Sequence, residues 1–316
     1  MKQLTVTSSP HIRGRWITSS VMRDVILALV PAMAAGIWIH GIRALGILLI
    51  TVSSCVVTEA FCTRQAGIHG AEVITGILLG MSLPVSVPYW IPMVGGVFSV
   101  LVVKHLCGGM GKNVFNPVLV SRAFLLLVWP VYLTQFPAVN MEGVTSSTPL
   151  HHMQIPALPE ETMWDLFFGT IPGCIGETSK AALLFGAAYL LWKGVIRPQI
   201  PLSYLGTVAL LTLLFPQDQP RIFWMLSQLL SGSLILGAFY MATDYVTSPV
   251  TSKGRIAFGV GCGLFTVLFR YFGLYPEGVT YGILCMNPIA WSLDRWLAPR
   301  VFGHERRKPW MRKSAR

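Results

Sequence analysis

Phe115-Asn116-Pro117-Val118 returns in the second half of the chain as Met286-Asn287-Pro288-Ile289. Two further elements return with it, in the same order. Gly76-Ile77-Leu78-Leu79-Gly80 resembles Ser233-Leu234-Ile235-Leu236-Gly237, and Val97-Phe98-Ser99-Val100-Leu101 resembles Leu264-Phe265-Thr266-Val267-Leu268. Proline inside an apolar run frees a backbone carbonyl, and asparagine can satisfy one, so the pair points to interrupted helices. Chance likeness between apolar stretches is the competing reading; recurrence of Asn-Pro in register with its neighbours weighs against it.

Working outward, apolar segments run from about Asp24 to His40, Ala44 to Phe61, Ala71 to Leu83, Trp90 to Val103, Asn116 to Tyr132, Ser179 to Trp192, Leu202 to Phe215, Ile222 to Met241, Ile256 to Phe272 and Tyr281 to Leu297. A membrane helix needs roughly 20 apolar residues, so the chain reads as an all-α, polytopic membrane protein of about ten spans. The third and fourth segments, interrupted by Pro84 and Pro88, read as half-helices or a re-entrant pair. An odd number of segments separates each repeat element from its copy, which makes the halves two inverted repeats. Such repeats commonly build a site between them, a ligand or ion path.

Composition agrees with a membrane class. The chain is 53% hydrophobic and 12% charged, with a mean hydropathy of +0.60, whereas soluble domains carry about 25% charged residues. The net charge of +11 does not imply nucleic acid, because the basic residues sit at the ends of apolar runs and no basic, aromatic-interleaved module is present. Most of them, including Lys104 with Lys112 and the tail after Arg295, fall on one face if both termini are cytoplasmic; Arg43, Arg221 and Arg270 fall on the other. No small-residue cleavage site follows the first apolar run, so that span is expected to be retained.

Few residues read as chemistry on their own. The six cysteines, Cys55, Cys62, Cys107, Cys174, Cys262 and Cys285, lack metal-ligand spacing. His151 and His152 read as a solvated pair, and no metal site is expected. Gly259-Val260-Gly261-Cys262-Gly263 opens an apolar run and reads as close helix packing. Arg122 within the fifth segment, and Glu59, Glu72, Asp244 and Asp294 near segment ends, must face protein, water or an ion.

The remaining signal lies in a stretch without lysine or arginine, residues 123–179, which the charge pattern places opposite the cytoplasm. It contains Glu142-Gly143-Val144-Thr145-Ser146-Ser147-Thr148-Pro149-Leu150, which alone reads as a Ser/Thr-rich turn. This segment resembles the flavinylation motif of the RnfD family, the D component of the Rnf ion-translocating electron-transport complex, related to the B component of the sodium-pumping NADH:quinone reductase. The family pattern is roughly Asp-Gly, any residue, Ser or Thr, Gly or Ser, then Ala-Thr-Pro-Leu. Here Glu142 stands for the Asp and Ser147 for the Ala. The resemblance extends to SSPHIRGRWITSSVMRDVILALVPA at the start, GKNVFNPVLVSRAFL before the loop, IGETSKAALLFGAAYLL after it, then MATDYVTSPVTSKGR and TYGILCMNPIAWSLDR.

The resemblance implies FMN joined by a phosphoester to Thr148, making the chain in that sense a phosphoprotein, with Thr145, Ser146 and Ser147 as neighbours. A threonine hydroxyl is a poor nucleophile, and the family uses a flavin transferase. It also implies a noncovalent flavin such as riboflavin, and a bacterial cytoplasmic (inner) membrane location. The chain would be a subunit of a ferredoxin:NAD oxidoreductase, carrying electrons through the covalent FMN coupled to Na+ or H+ movement. Partners would include a second covalent-FMN subunit and iron–sulfur subunits, besides membrane lipid; the isolated chain is not expected to be catalytic. The organisation expected is a cytoplasmic segment 1–23, a first membrane repeat 24–133, an extracytoplasmic flavin loop 134–176, a second repeat 177–298 and a basic cytoplasmic tail 299–316. A secondary transporter or channel without redox activity is the alternative class, since fold does not settle function.

Overall fold

The computed structural model describes residues 18–63, 70–106, 111–137, 145–146, 163–169, 171–218, 220–273 and 277–298. Among these the protein is helical, apart from one short antiparallel pair in which β1 (Phe136–Pro137) meets β2 (Thr145–Ser146), Phe136 opposite Ser146. Three of the described helices are long and apolar enough to cross a membrane by length and composition: α1 (Thr18–His40), α2 (Ile42–Thr63) and a later one at Ser252–Phe272. Gly41, at φ 75°, makes the turn between the first two, a conformation that costs other residues a Cβ clash.

The first half continues with α3 (Ala71–Met81), α4 (Trp90–Phe98) running into a π-helix at Ser99–Leu106, α5 (Pro117–Val128) and α6 (Pro130–Leu133). Between α3 and α4 the chain is non-helical, as Pro84 and Pro88 dictate. Its freed backbone groups find partners elsewhere: the Ile175 N–H donates to the Leu83 carbonyl at 3.2 Å, and Arg43 to the Ser86 carbonyl at 3.1 Å. That is the condition for irregular backbone at membrane depth.

The stretch 134–176 contains, among its described residues, β1, β2 and α7 (Met163–Phe168). A 3-10 turn at Ile175–Glu177 then leads into α8 (Lys180–Lys193), α9 (Gln199–Leu214), α10 (Arg221–Leu230), the single turn α11 (Leu234–Leu236), a second π-helix at Gly237–Met241, α12 (Ser252–Phe272) and α13 (Gly278–Trp296). The segment expected as one span from Ile222 to Met241 is in fact broken: its two parts bend by 63°, with Gly232 at φ 69° in the break. No proline announces it. Buried Arg270 donates to the carbonyls of Gln228 and Ser231 and to Gln228 Oε1, replacing the donors that the end of α10 lacks.

Helix contacts are close where side chains are small. A Cβ on Gly259 would lie 2.0 Å from Ser203 Oγ, one on Gly263 would lie 2.7 Å from Thr207 Cβ, and one on Gly261 would meet Met286. The glycine run thus packs α12 against α9 on one face and α13 on the other, as expected. The two Asn-Pro copies have different settings. Asn116 N-caps α5, its Oδ1 accepting from the Val118 N–H at 3.0 Å, with Pro117 at a position that needs no donor. Pro288 lies inside α13. The expectation of a carbonyl freed within a span therefore fits only the second copy.

Candidate functional site

A cavity of about 730 Å³ opens at the end of the bundle where α1 begins and α13 ends. Its volume is in the range of small-molecule and cofactor pockets, roughly 300–1,000 Å³. Both π-helices contribute to its wall: Lys104 from the first, Phe239 and Tyr240 from the second. Such wide turns are rare and recur at functional sites. The second is closed by the Ala242 N–H donating to the Gly237 carbonyl at 2.7 Å. Val21 and Val25 of α1, Ile74 and Leu78 of α3, and Val118 of α5 add apolar surface, and Thr75, Asn113, Asn116 and Thr243 add polar groups.

Side-chain bonds hold the two halves together around this space. Asn116 Nδ2 donates to the Met241 carbonyl at 3.1 Å, tying the start of α5 to the end of the second π-helix. The Tyr240 hydroxyl donates to the Leu183 carbonyl at 2.9 Å and lies 3.4 Å from that of Ala28. Asp244, in the turn after the π-helix, also lines the cavity; burial holds its carboxyl above the usual range, against the Thr247 hydroxyl and the nearby backbone N–H groups that stabilise its charge.

Lys104 is the correction to the sequence reading. Counted there with Lys112 in a cytoplasmic connection, it is buried within the π-helix, its Nζ 2.8 Å from Glu59 Oε1. His105 Nε2 lies 3.1 Å from the other oxygen of Glu59. The signal was present, because the apolar run continues past Lys104 to Leu106 before Gly108 ends it.

A second ionic cluster lies toward the other end. Arg122 of α5 is 4% exposed and pairs with Glu277 at the start of α13; Glu177 Oε1 lies 3.9 Å away, Cys174 Sγ 3.3 Å and Ser233 Oγ 3.5 Å. Lys180, also buried, donates to the Glu177 carbonyl. Cys174, Glu177 and Glu277 stand close enough to share a cation, but the guanidinium already occupies that role. The expectation that Arg122 faces protein groups holds. Glu59 is the other acid it placed among charges, and Asp294 accepts from the Val250 and Thr251 N–H groups at the start of α12.

The profile of the NQR2, RnfD, RnfE family matches residues 5–303. The chain belongs to this family. It is similar to the RnfD-type component of the Na+-translocating ferredoxin:NAD+ oxidoreductase complex of Acetobacterium woodii, with 42% identity over 311 residues and 95% of each chain covered. The corresponding component of the proton-translocating ferredoxin:NAD+ oxidoreductase complex of Clostridium ljungdahlii is 38% identical, over 96% of this chain and 97% of that one. That of the ion-translocating oxidoreductase complex of Halorhodospira halophila is 34% identical, over 95% and 96%. Membership in the NQR2, RnfD, RnfE family bears out the resemblance carried by the loop and its flanking segments.

Of the site residues expected from that resemblance, the backbone of Thr145 and Ser146 forms β2, and Ser147 and Thr148 lie outside the described residues, as do His151, His152 and Cys107. The cavity and the two ionic clusters were not assembled by sequence reasoning, because their members come from segments far apart in the chain.

Proposed function

We propose that the chain is the RnfD component of an Rnf-type ion-translocating ferredoxin:NAD oxidoreductase in a bacterial cytoplasmic membrane, with both termini cytoplasmic and about ten spans arranged as inverted repeats. The observation that carries this reading is the 42% identity to one such component over 95% of both chains. The chain acts with other subunits, including a second covalent-FMN subunit and iron–sulfur subunits, and with a flavin transferase for its maturation. It has no dinucleotide fingerprint and no cysteine set for a cluster of its own, so the isolated chain is not catalytic.

Thr148 holds FMN through a phosphoester. Support comes from the motif and from β2, which anchors Thr145 and Ser146 beside the end of α6. The cavity fits a second, noncovalent flavin of the riboflavin type: its volume suits a tricyclic ring, Phe239, Tyr240 and aliphatic residues offer faces, and Asn113, Asn116 and Thr75 offer edge hydrogen bonds. Bound flavin supplies the redox chemistry, and the protein supplies position, exclusion of water and electrostatics. Relatives differ in their coupling ion, Na+ in one and protons in another, so coupling to Na+ or H+ is the common reading.

Ultraviolet illumination of a denaturing gel of the assembled complex tests the covalent assignment. Fluorescence should remain on this chain after denaturation, vanish in Thr148→Ala and persist in Thr145→Ala and Ser147→Ala. Label retained by Thr148→Ala sinks the assignment, and a dark wild-type chain favours a transporter without redox activity.

A further inference from the structure

We infer that Lys104 sets the relative affinity of the cavity for reduced over oxidised flavin, and that Glu59 is the positioning residue that holds and partly neutralises it. The inference rests on the reading of the cavity as a noncovalent flavin site. Three described cationic side chains line the cavity: Lys104, Arg197 and Arg255. Arg197 is exposed, and Arg255 is half-buried and turned to the Pro249 carbonyl at 3.1 Å. Lys104 alone of these is buried, its side chain 8% exposed. A charge in that position is weakly screened by water and acts strongly on any charge that develops in the cavity.

The ligand chemistry supplies such a charge. Uptake of two electrons and one proton converts the neutral oxidised isoalloxazine into an anion, with the negative charge on its pyrimidine part. The electrons come from the ferredoxin side of the proposed reaction, or from dithionite in the test below. An ammonium group in the wall stabilises the product of that uptake more than its precursor, which raises relative affinity for the reduced form.

Glu59 makes the arrangement adjustable. Its Oε1 is 2.8 Å from Lys104 Nζ and its Oε2 is 3.1 Å from His105 Nε2, so one carboxylate faces two nitrogen groups of the same π-helix. A buried ammonium needs a compensating charge, and this carboxylate supplies it. It also opposes the field that Lys104 projects into the cavity. The wide π-turn places Lys104 on the cavity side, with its neighbour His105 still within reach of Glu59.

The experiment uses the assembled complex in detergent, dialysed with and without dithionite, and measures by chromatography the riboflavin retained at a series of free riboflavin concentrations. Wild type should hold riboflavin more tightly when reduced. Lys104→Met should lose about tenfold of that preference, equivalent to ~30 mV for a two-electron couple, with oxidised-state affinity nearly unchanged; Lys104→Arg should retain the preference. Glu59→Gln should move the ratio the opposite way if Lys104 remains charged, which keeps the inference testable should Lys104→Met fail to assemble. Riboflavin retained with the same ratio in all three variants overturns the inference and leaves the cavity reading standing. Failure of the bulky variant Thr75→Trp to expel riboflavin overturns the cavity reading and the inference with it.

Discussion

The Glu59–Lys104–His105 cluster and the Arg122–Glu177–Glu277 cluster are both buried, yet they join different things. The first links α2 to the adjacent π-helix, within one half of the molecule, and its lysine borders a cavity. The second links α5 of the first half, the turn that ends the expected flavin loop, and α13 of the second half, with Ser233 in the break between α10 and α11 as a further neighbour. One carboxylate in the first has two nitrogen partners; one guanidinium in the second serves two carboxylates. Removing a partner therefore leaves a spare in the first cluster and an uncompensated buried charge in the second. The comparison separates a tunable pair from an architectural lock.

Arg122→Met tests the lock most severely. It leaves Glu177 and Glu277 buried without a cation between them, and breaking a buried pair typically costs about 3–5 kcal/mol. The assembled complex should melt well below wild type or fail to form, measured by thermal unfolding in detergent with size-exclusion readout. Arg122→Lys should recover part of the loss, since a point charge cannot reproduce a planar fork. An unchanged melting temperature in Arg122→Met would remove the distinction between the clusters.

Lys104→Met should cost less, about 1–3 kcal/mol, because Glu59 keeps His105 as a partner. Glu59→Gln should cost a similar amount. The double variant should cost less than the sum of the two, as contacting residues do. Additive costs would show that the 2.8 Å contact carries no coupling.

The sequence alone made much of this frame legible, and the failures have physical causes. Apolar run length located helices at each stretch expected, and Pro84 and Pro88 marked a real break. The break at Gly232 went unread because Ser231-Gly232-Ser233 sits between apolar runs without a proline, and the residue that stabilises it, Arg270, is far away in the chain. Arg270 and Lys104 were both taken as charges outside the bundle. A charge at the end of an apolar run looks the same whether it snorkels to water or turns inward to a partner. Arg122 was recognised because it lies well inside its run, where only a partner makes it tolerable. The covalent-flavin residue was legible only through family resemblance, since a Ser/Thr-rich turn has no helical or ionic pattern to constrain it.

The cavity end also carries a smaller electrostatic contact, which sharpens the comparison from the side of local helix capping. Asp294, near the end of α13, accepts from the Val250 N–H at 2.9 Å, the Thr251 N–H at 2.9 Å and the Thr251 hydroxyl at 2.8 Å. These groups stand at the entry to α12, where unpaired N–H groups and the helix dipole favour a negative charge. Asp294→Ala should cost about 1 kcal/mol, the usual worth of a cap, and Asp294→Asn about half of that because one acceptor remains. Amide hydrogen exchange around residues 250–255 should accelerate in the same order while the region around Arg122 stays protected. Acceleration that spreads to Arg122 would mean that the ends of the bundle open together, and the lock at that end would then not be an independent unit.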